Sequence, residues 1–125
     1  MKAALVQLIR SLNARGWSPA TSTNYSFIDE HQQCWVSRSG VNKADFTEHD
    51  FMTIDTSGMG IGAYHGVKPS DETQIHLWIY QNFPEAKVIL HSHSKYPVLI
   101  SQYNEHHFNV QGYELQKGFK GCETH

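Results

Sequence analysis

His91, Ser92 and His93 are the residues of this chain best able to do chemistry. In a strand, side chains two positions apart leave the same face. Two imidazoles at the end of an apolar strand can therefore offer neutral nitrogens to one divalent metal ion, zinc first among the candidates. A strand that merely ends in two polar residues gives the same short pattern. Three further stretches suit an anion. Ser70-Asp71-Glu72 reads as a helix start, where free backbone N–H groups and the helix dipole attract phosphate, though an ordinary N-cap has the same composition. Ser37-Arg38-Ser39-Gly40 follows a β-prone run and offers a hydroxyl and a flexible glycine, as many simple turns do. Thr21 to Ser26 is a polar run entering a strand and says little by itself.

The elements that must position these residues follow from periodicity. Leu5, Leu8, Ile9 and Leu12 recur at three- and four-residue spacing, which predicts an amphipathic helix that Gly16 can close. Asn24 to Ile28 and Cys34 to Ser37 are short strands, and the polar Asp29 to Gln33 between them predicts a hairpin. Phe51 to Asp55 alternates as a third strand before the glycine-rich turn Ser57 to Gly62. Pro69 and Ser70 start a second helix, with Asp71 and Glu72 at the positive end of its dipole. Its apolar stripe is Ile75, Trp78, Ile79 and Phe83, and Pro84 stops it. Ala86 to His93 is a strand with Val88, Ile89 and Leu90 at its centre, and Ser94 caps a third helix carrying Val98, Leu99 and Ile100. Helices interleaved with hairpin-joined strands predict a layered α/β domain with a mixed, mostly antiparallel sheet.

Composition narrows the function. The 125 residues are 39% hydrophobic and 18% charged, which fits one folded domain. A net charge of −2 gives no basic field for nucleic acid or anionic lipid. No apolar run approaches the roughly 20 residues of a spanning helix, and Met1 to Arg10 has a helical pattern rather than that of a signal peptide. Cys34 and Cys122 form no CxxC pair, so reduced thiols in the cytoplasm are expected.

Taken in order, the run through Asn24, the Ser39-Gly40 turn, the Ser70-Asp71-Glu72 helix start and the His91/His93 pair resemble the class II aldolase/adducin family. Within it, Gly16 to Thr21 and Gly112 to Lys117 resemble a branch of dehydratases that act on a methylthio-pentulose phosphate in methionine salvage. The resemblance implies a layered class II aldolase-like domain with its sheet flanked by helices. It implies one zinc ion per subunit on His91 and His93, and substrate phosphate held by Asn24, Ser39, Gly40 and Ser70. Glu72 matches the glutamate beside the metal in the aldolases, and Glu114 matches the dehydratases' acid/base. Thr23 and Asp71 depart from the pattern, which has a glycine and a small residue at these positions. Partners implied are a small sugar phosphate and further copies of the chain, as a tetramer, with no nucleic acid or membrane.

The family's third histidine ligand comes from a later segment, and His125 does not match it. Residues 1–125 are therefore expected to be the N-terminal portion of one such domain, incomplete at its C-terminus, binding zinc weakly and turning over little substrate alone. His65, His76, His106 and His107 read as surface or structural histidines. The alternatives are a sugar-phosphate aldolase or epimerase of the same family, which would not need Glu114, and a non-catalytic remnant that only binds partners.

Overall fold

A computed structural model describes residues 1–102. Its centre is a four-stranded sheet of β1 (Asn24–Ile28), β2 (Cys34–Ser37), β3 (Phe51–Ile54) and β4 (Val88–His91), in the order β3-β2-β1-β4. Every pairing is antiparallel. The expected hairpin joins β1 to β2, because Asp29 organises the turn. Its carboxylate accepts from the backbone N–H of His31 at 2.9 Å and of Gln33 at 2.8 Å, and from the Trp35 indole at 2.8 Å. This is the local side-chain-to-backbone bonding that makes Asp a turn residue.

Alternation along the strands divides the core in two. Tyr25, Phe27 and Phe51 leave one face and pack with Phe46 against Leu5, Val6 and Ile9 of helix α1 (Lys2–Ala14). Cys34, Val36, Met52 and Ile54 leave the other and meet Leu77 of helix α2 (Thr73–Asn82). Burial in this second layer pushes the Cys34 thiol up to about 11, so it is a packing group rather than a nucleophile. Gly16 closes α1 at φ +74°. Its N–H bonds Asn13 O at 2.8 Å and the Trp17 N–H bonds Leu12 O at 3.1 Å, the pair of contacts that a left-handed glycine makes possible at a helix end. The buried side of α1 runs through Val6 rather than Leu8, which is 39% exposed.

Helix α2 differs more from its sequence pattern. It starts at Thr73 with Glu72 as N-cap, because Ser70 is engaged in a turn. The Ser70 N–H bonds Ser37 O at 3.3 Å, while its carbonyl accepts from the Thr73 N–H at 3.1 Å and the Thr73 hydroxyl at 2.7 Å. The stripe of Ile75, Trp78 and Phe83 faces outward, at 58%, 58% and 47% exposure. The inward side is Thr73, His76 and Leu77. Ser26, fully buried on β1, explains the choice. Its hydroxyl lies 2.7 Å from His76 Nδ1 and 2.7 Å from the Tyr80 hydroxyl, and a buried hydroxyl needs such partners. Strand β4 is shorter than the expected Ala86 to His93, and His93 follows its end before helix α3 (Lys95–Ser101). No described helix is long and apolar enough to cross a membrane.

Candidate functional site

Register sets the first histidine. Asn24 of β1 stands directly opposite His91 of β4, so both side chains leave the α2 side of the sheet. There the first turn of α2 meets them through Glu72. Glu72 Oε2 lies 2.7 Å from His91 Nδ1, and the Asn24 amide nitrogen hydrogen bonds the same Glu72 oxygen and lies 3.1 Å from His91 Nδ1. An Nδ1–H donated to this carboxylate leaves the lone pair on Nε2, the arrangement that orients a metal-binding imidazole.

His91 Nε2 faces His93 Nε2 at 3.0 Å, with the rings tilted by 55°. His93 lies beyond the strand, and its backbone N–H is tied to Trp17 O at 2.9 Å. Two zinc–nitrogen bonds of about 2.0–2.1 Å at a tetrahedral angle span about 3.3 Å. The pair therefore fits one metal ion after a shift of a few tenths of an ångström. Among the described residues no group of three or more His, Cys, Asp or Glu side chains is arranged to hold a metal. The structure thus offers two imidazoles, with Glu72 on the far side of one ring. His76 forms no three-donor group with them among the described residues. Its Nδ1 is engaged by Ser26, and burial, together with the neighbouring His91, lowers its pKa to about 4, which keeps the ring neutral.

Asn24, Ser39, Gly40 and Ser70 converge on one cavity of about 300 Å³, at the small end of ligand-site sizes. Two links hold its walls together. A β-bridge joins Arg38 to Pro69, and the Ser70 N–H bonds Ser37 O at 3.3 Å. Gly40 takes φ +72°, a conformation that favours glycine. Thr21, Thr23 and Arg38, from the Thr21 to Ser26 and Ser37 to Gly40 stretches, also line this cavity. Thr21 and the preceding Ala20 both have positive φ, 63° and 49°, and strain of this kind concentrates at functional sites. Asp71 sits on the rim with Lys68 Nζ 2.7 Å from its Oδ1, so its charge is partly offset on the exposed side.

Glu72 lies on the wall of this cavity and also on that of a second, of about 450 Å³, beside His91, Ile75, Ile79 and Ile89. A ligand can thus place an anionic group at the serines and a reacting carbon near the histidines. Glu114, Cys122 and the Gly112 to Lys117 stretch lie outside the described residues.

Residues 3–123 match the model of the class II aldolase and adducin N-terminal domain. The chain is 48% identical over 126 residues to a methylthioribulose-1-phosphate dehydratase of Picosynechococcus sp., covering 99% of this chain and 59% of that relative. It spans well under two thirds of that relative's length. Among solved structures, an L-fuculose-1-phosphate aldolase from Thermus thermophilus superimposes with a TM-score of 0.65 at 28% identity, over 79% of this chain and 49% of the other. YgbL from Escherichia coli superimposes at 0.73 and 20% identity, over 82% and 48%, which speaks to the fold alone.

Proposed function

Because this chain belongs to the class II aldolase and adducin family, we propose that it is the N-terminal part of a single-domain, zinc-dependent dehydratase. Its substrate is 5-methylthioribulose 1-phosphate and its product 2,3-diketo-5-methylthiopentyl 1-phosphate. The observation that carries the reading is the facing of His91 Nε2 and His93 Nε2 at 3.0 Å, joined through Glu72 to a cavity walled by Ser39, Gly40 and Ser70. The substrate branch rests on the identity to the dehydratase relative.

In this proposal His91 and His93 hold one zinc ion per chain. Zinc bound there supplies a Lewis acid for the substrate ketone. Asn24, Ser39, Gly40 and Ser70 bind the phosphate, which orients the sugar and contributes binding energy remote from the reacting carbons. Glu72 fixes the His91 tautomer and borders the reacting carbon. The hydrogen on the carbon beside the ketone leaves as a proton, the hydroxyl on the next carbon leaves as water, and the resulting enol ketonises. Glu114 is the acid/base that moves these protons. The exposed Ile75, Trp78 and Phe83 support contact between subunits, in keeping with a tetramer.

Replacing Glu114 by Gln separates this reading from its nearest rival. General acid–base catalysis contributes about 10²–10⁴-fold, so Glu114→Gln should lower turnover by that factor while zinc content, read by metal analysis, stays at the native level. Unchanged turnover would return the aldolase or epimerase reading to first place.

A further inference from the structure

Helix α2 turns its less apolar side to the sheet. Thr73 and His76 are buried there with Leu77, while Ile75 and Trp78 stay exposed. Apolar burial alone would favour the opposite choice. In exchange the observed orientation makes a polar seam. Glu72, His76 and Tyr80 are spaced by four residues, a rise of about 6 Å per step in a helix. Asn24 and Ser26 are two apart on β1, about 6.6 Å along a strand. The two repeats match, so the contacts come in successive rungs. Glu72 meets Asn24 and His91, and the Ser26 hydroxyl lies 2.7 Å from His76 Nδ1 and 2.7 Å from the Tyr80 hydroxyl. On β4, His91 stands opposite Asn24 and Ile89 opposite Ser26, so the second rung lies directly behind the histidine site.

We propose that His76 is a positioning residue of the His91/His93 site: its bond to Ser26 fixes the rotation and height of α2 so that Glu72 meets His91 Nδ1. The inference rests on the zinc reading given above and adds a residue to it. Glu72 depends on the helix for its place, because as N-cap it makes no side-chain cap bond and its side chain is 39% exposed. Turning Ile75 and Trp78 to the sheet would rotate α2 by more than 90°. On a Cα radius of about 2.3 Å, that carries the Glu72 Cα about 3 Å or more around the axis, and its 2.7 Å contact with His91 is lost. Tyr80 reaches Ser26 from one turn further along and through a longer side chain, so it holds the start of the helix less firmly. His76 thus acts through Glu72, whose carboxylate keeps the proton on His91 Nδ1 and leaves the Nε2 lone pair for the metal.

The test uses the protein expressed from its complete reading frame, with zinc alone as the probe. His76→Leu removes the ring nitrogen and keeps an apolar filling. His76→Asn keeps a hydrogen-bonding atom near the place of Nδ1. Zinc affinity should fall about tenfold or more in His76→Leu, the lower end of what an outer-shell partner contributes, and stay within about threefold of native in His76→Asn. In a Glu72→Ala background the further loss from His76→Leu should shrink below about twofold, because the group it acts through is gone. Nitrogen-15 NMR of the zinc-free protein should show His91 protonated at Nδ1 in the native chain and in His76→Asn, and a tautomer mixture in His76→Leu. Native zinc affinity in His76→Leu overturns the proposal, as does equal weakening in the Leu and Asn variants. A tenfold loss that persists in the Glu72→Ala background also overturns it, since His76 would then act on the fold at large. If His76→Leu does not fold, Ser26→Ala removes the same bond from the sheet side and the same thresholds apply. If the native protein binds no zinc, the metal reading fails, and the His91 tautomer alone decides whether His76 positions Glu72: an unchanged Nδ1–H in His76→Leu overturns it.

Discussion

His91→Ala is expected to weaken zinc binding at least about 100-fold, the upper end of what loss of even an outer-shell partner costs a metal site. Donor number sets the size of the effect. Among the described residues two imidazole nitrogens face one point, so removing His91 leaves a single protein donor there. It also frees Glu72 and Asn24, which lose the ring that they share at 2.7 and 3.1 Å. The effect is legible in stability as well as in affinity. At a free zinc concentration 100 times the native Kd, binding stabilises the fold by about 2.7 kcal/mol. A site weakened 100-fold retains only about 0.4 kcal/mol at the same concentration. Most of the zinc-induced rise in thermal midpoint should therefore vanish in the variant. The metal-free midpoint should change little, because His91 ends an edge strand of the described sheet and its side chain is 36% exposed. A zinc-induced shift equal to that of the native protein would remove His91 from the metal site.

The second large effect is on folding. Phe51→Ala should cost about 3–5 kcal/mol, the range for emptying a buried aromatic site. Phe51 is fully buried, with its ring edge-on to Phe27 at 5.2 Å and to Phe46 at 5.1 Å. These three rings and the α1 residues Leu5, Val6 and Ile9 make up most of the first core layer, so the vacated volume has few neighbours that can close on it. A loss of that size consumes a large share of the 5–15 kcal/mol typical of a whole domain. The damage also reaches the site, because Phe51 pairs with Ser37 at the start of the turn that carries Arg38, Ser39 and Gly40. Urea unfolding of the native protein and the variant measures the cost. A difference under about 1 kcal/mol would mean that this layer is not the principal core.

The hairpin was legible in the sequence because its cause is local. Asp29 and its neighbours specify the turn, and the flanking runs alternate between the two core layers, Tyr25 and Phe27 to one, Ser26 and Ile28 to the other. Helix α2 was legible as a helix but not in its orientation. Its apolar stripe is genuine, yet a helix with apolar residues on several sides does not declare which side meets the sheet. The buried Ser26 hydroxyl decides that by engaging His76 and Tyr80, contacts between residues 50 and 54 positions apart. The same limit applies to the site. His91 and His93 were found by spacing, although His93 reaches the shared point from beyond the strand, anchored by Trp17, and not by strand alternation. Ser39, Gly40 and Ser70 were found by resemblance, and the structure brings them to one cavity. Thr23 and Arg38 carry no spacing signal at all. Their place on the cavity wall comes from the bridge between Arg38 and Pro69 and from the strained backbone at Ala20 and Thr21, which only the folded chain creates.

Zinc-dependent dehydration of a methylthio-pentulose phosphate is the activity proposed for the His91/His93 site, and product analysis separates it from aldol cleavage. The protein expressed from its complete reading frame is incubated with 5-methylthioribulose 1-phosphate, and the products are followed by phosphorus and proton NMR. The expected product is 2,3-diketo-5-methylthiopentyl 1-phosphate, with conversion stopped by a chelator and restored by added zinc. Cleavage into two shorter carbon chains, or dehydration that continues in the presence of the chelator, would contradict it.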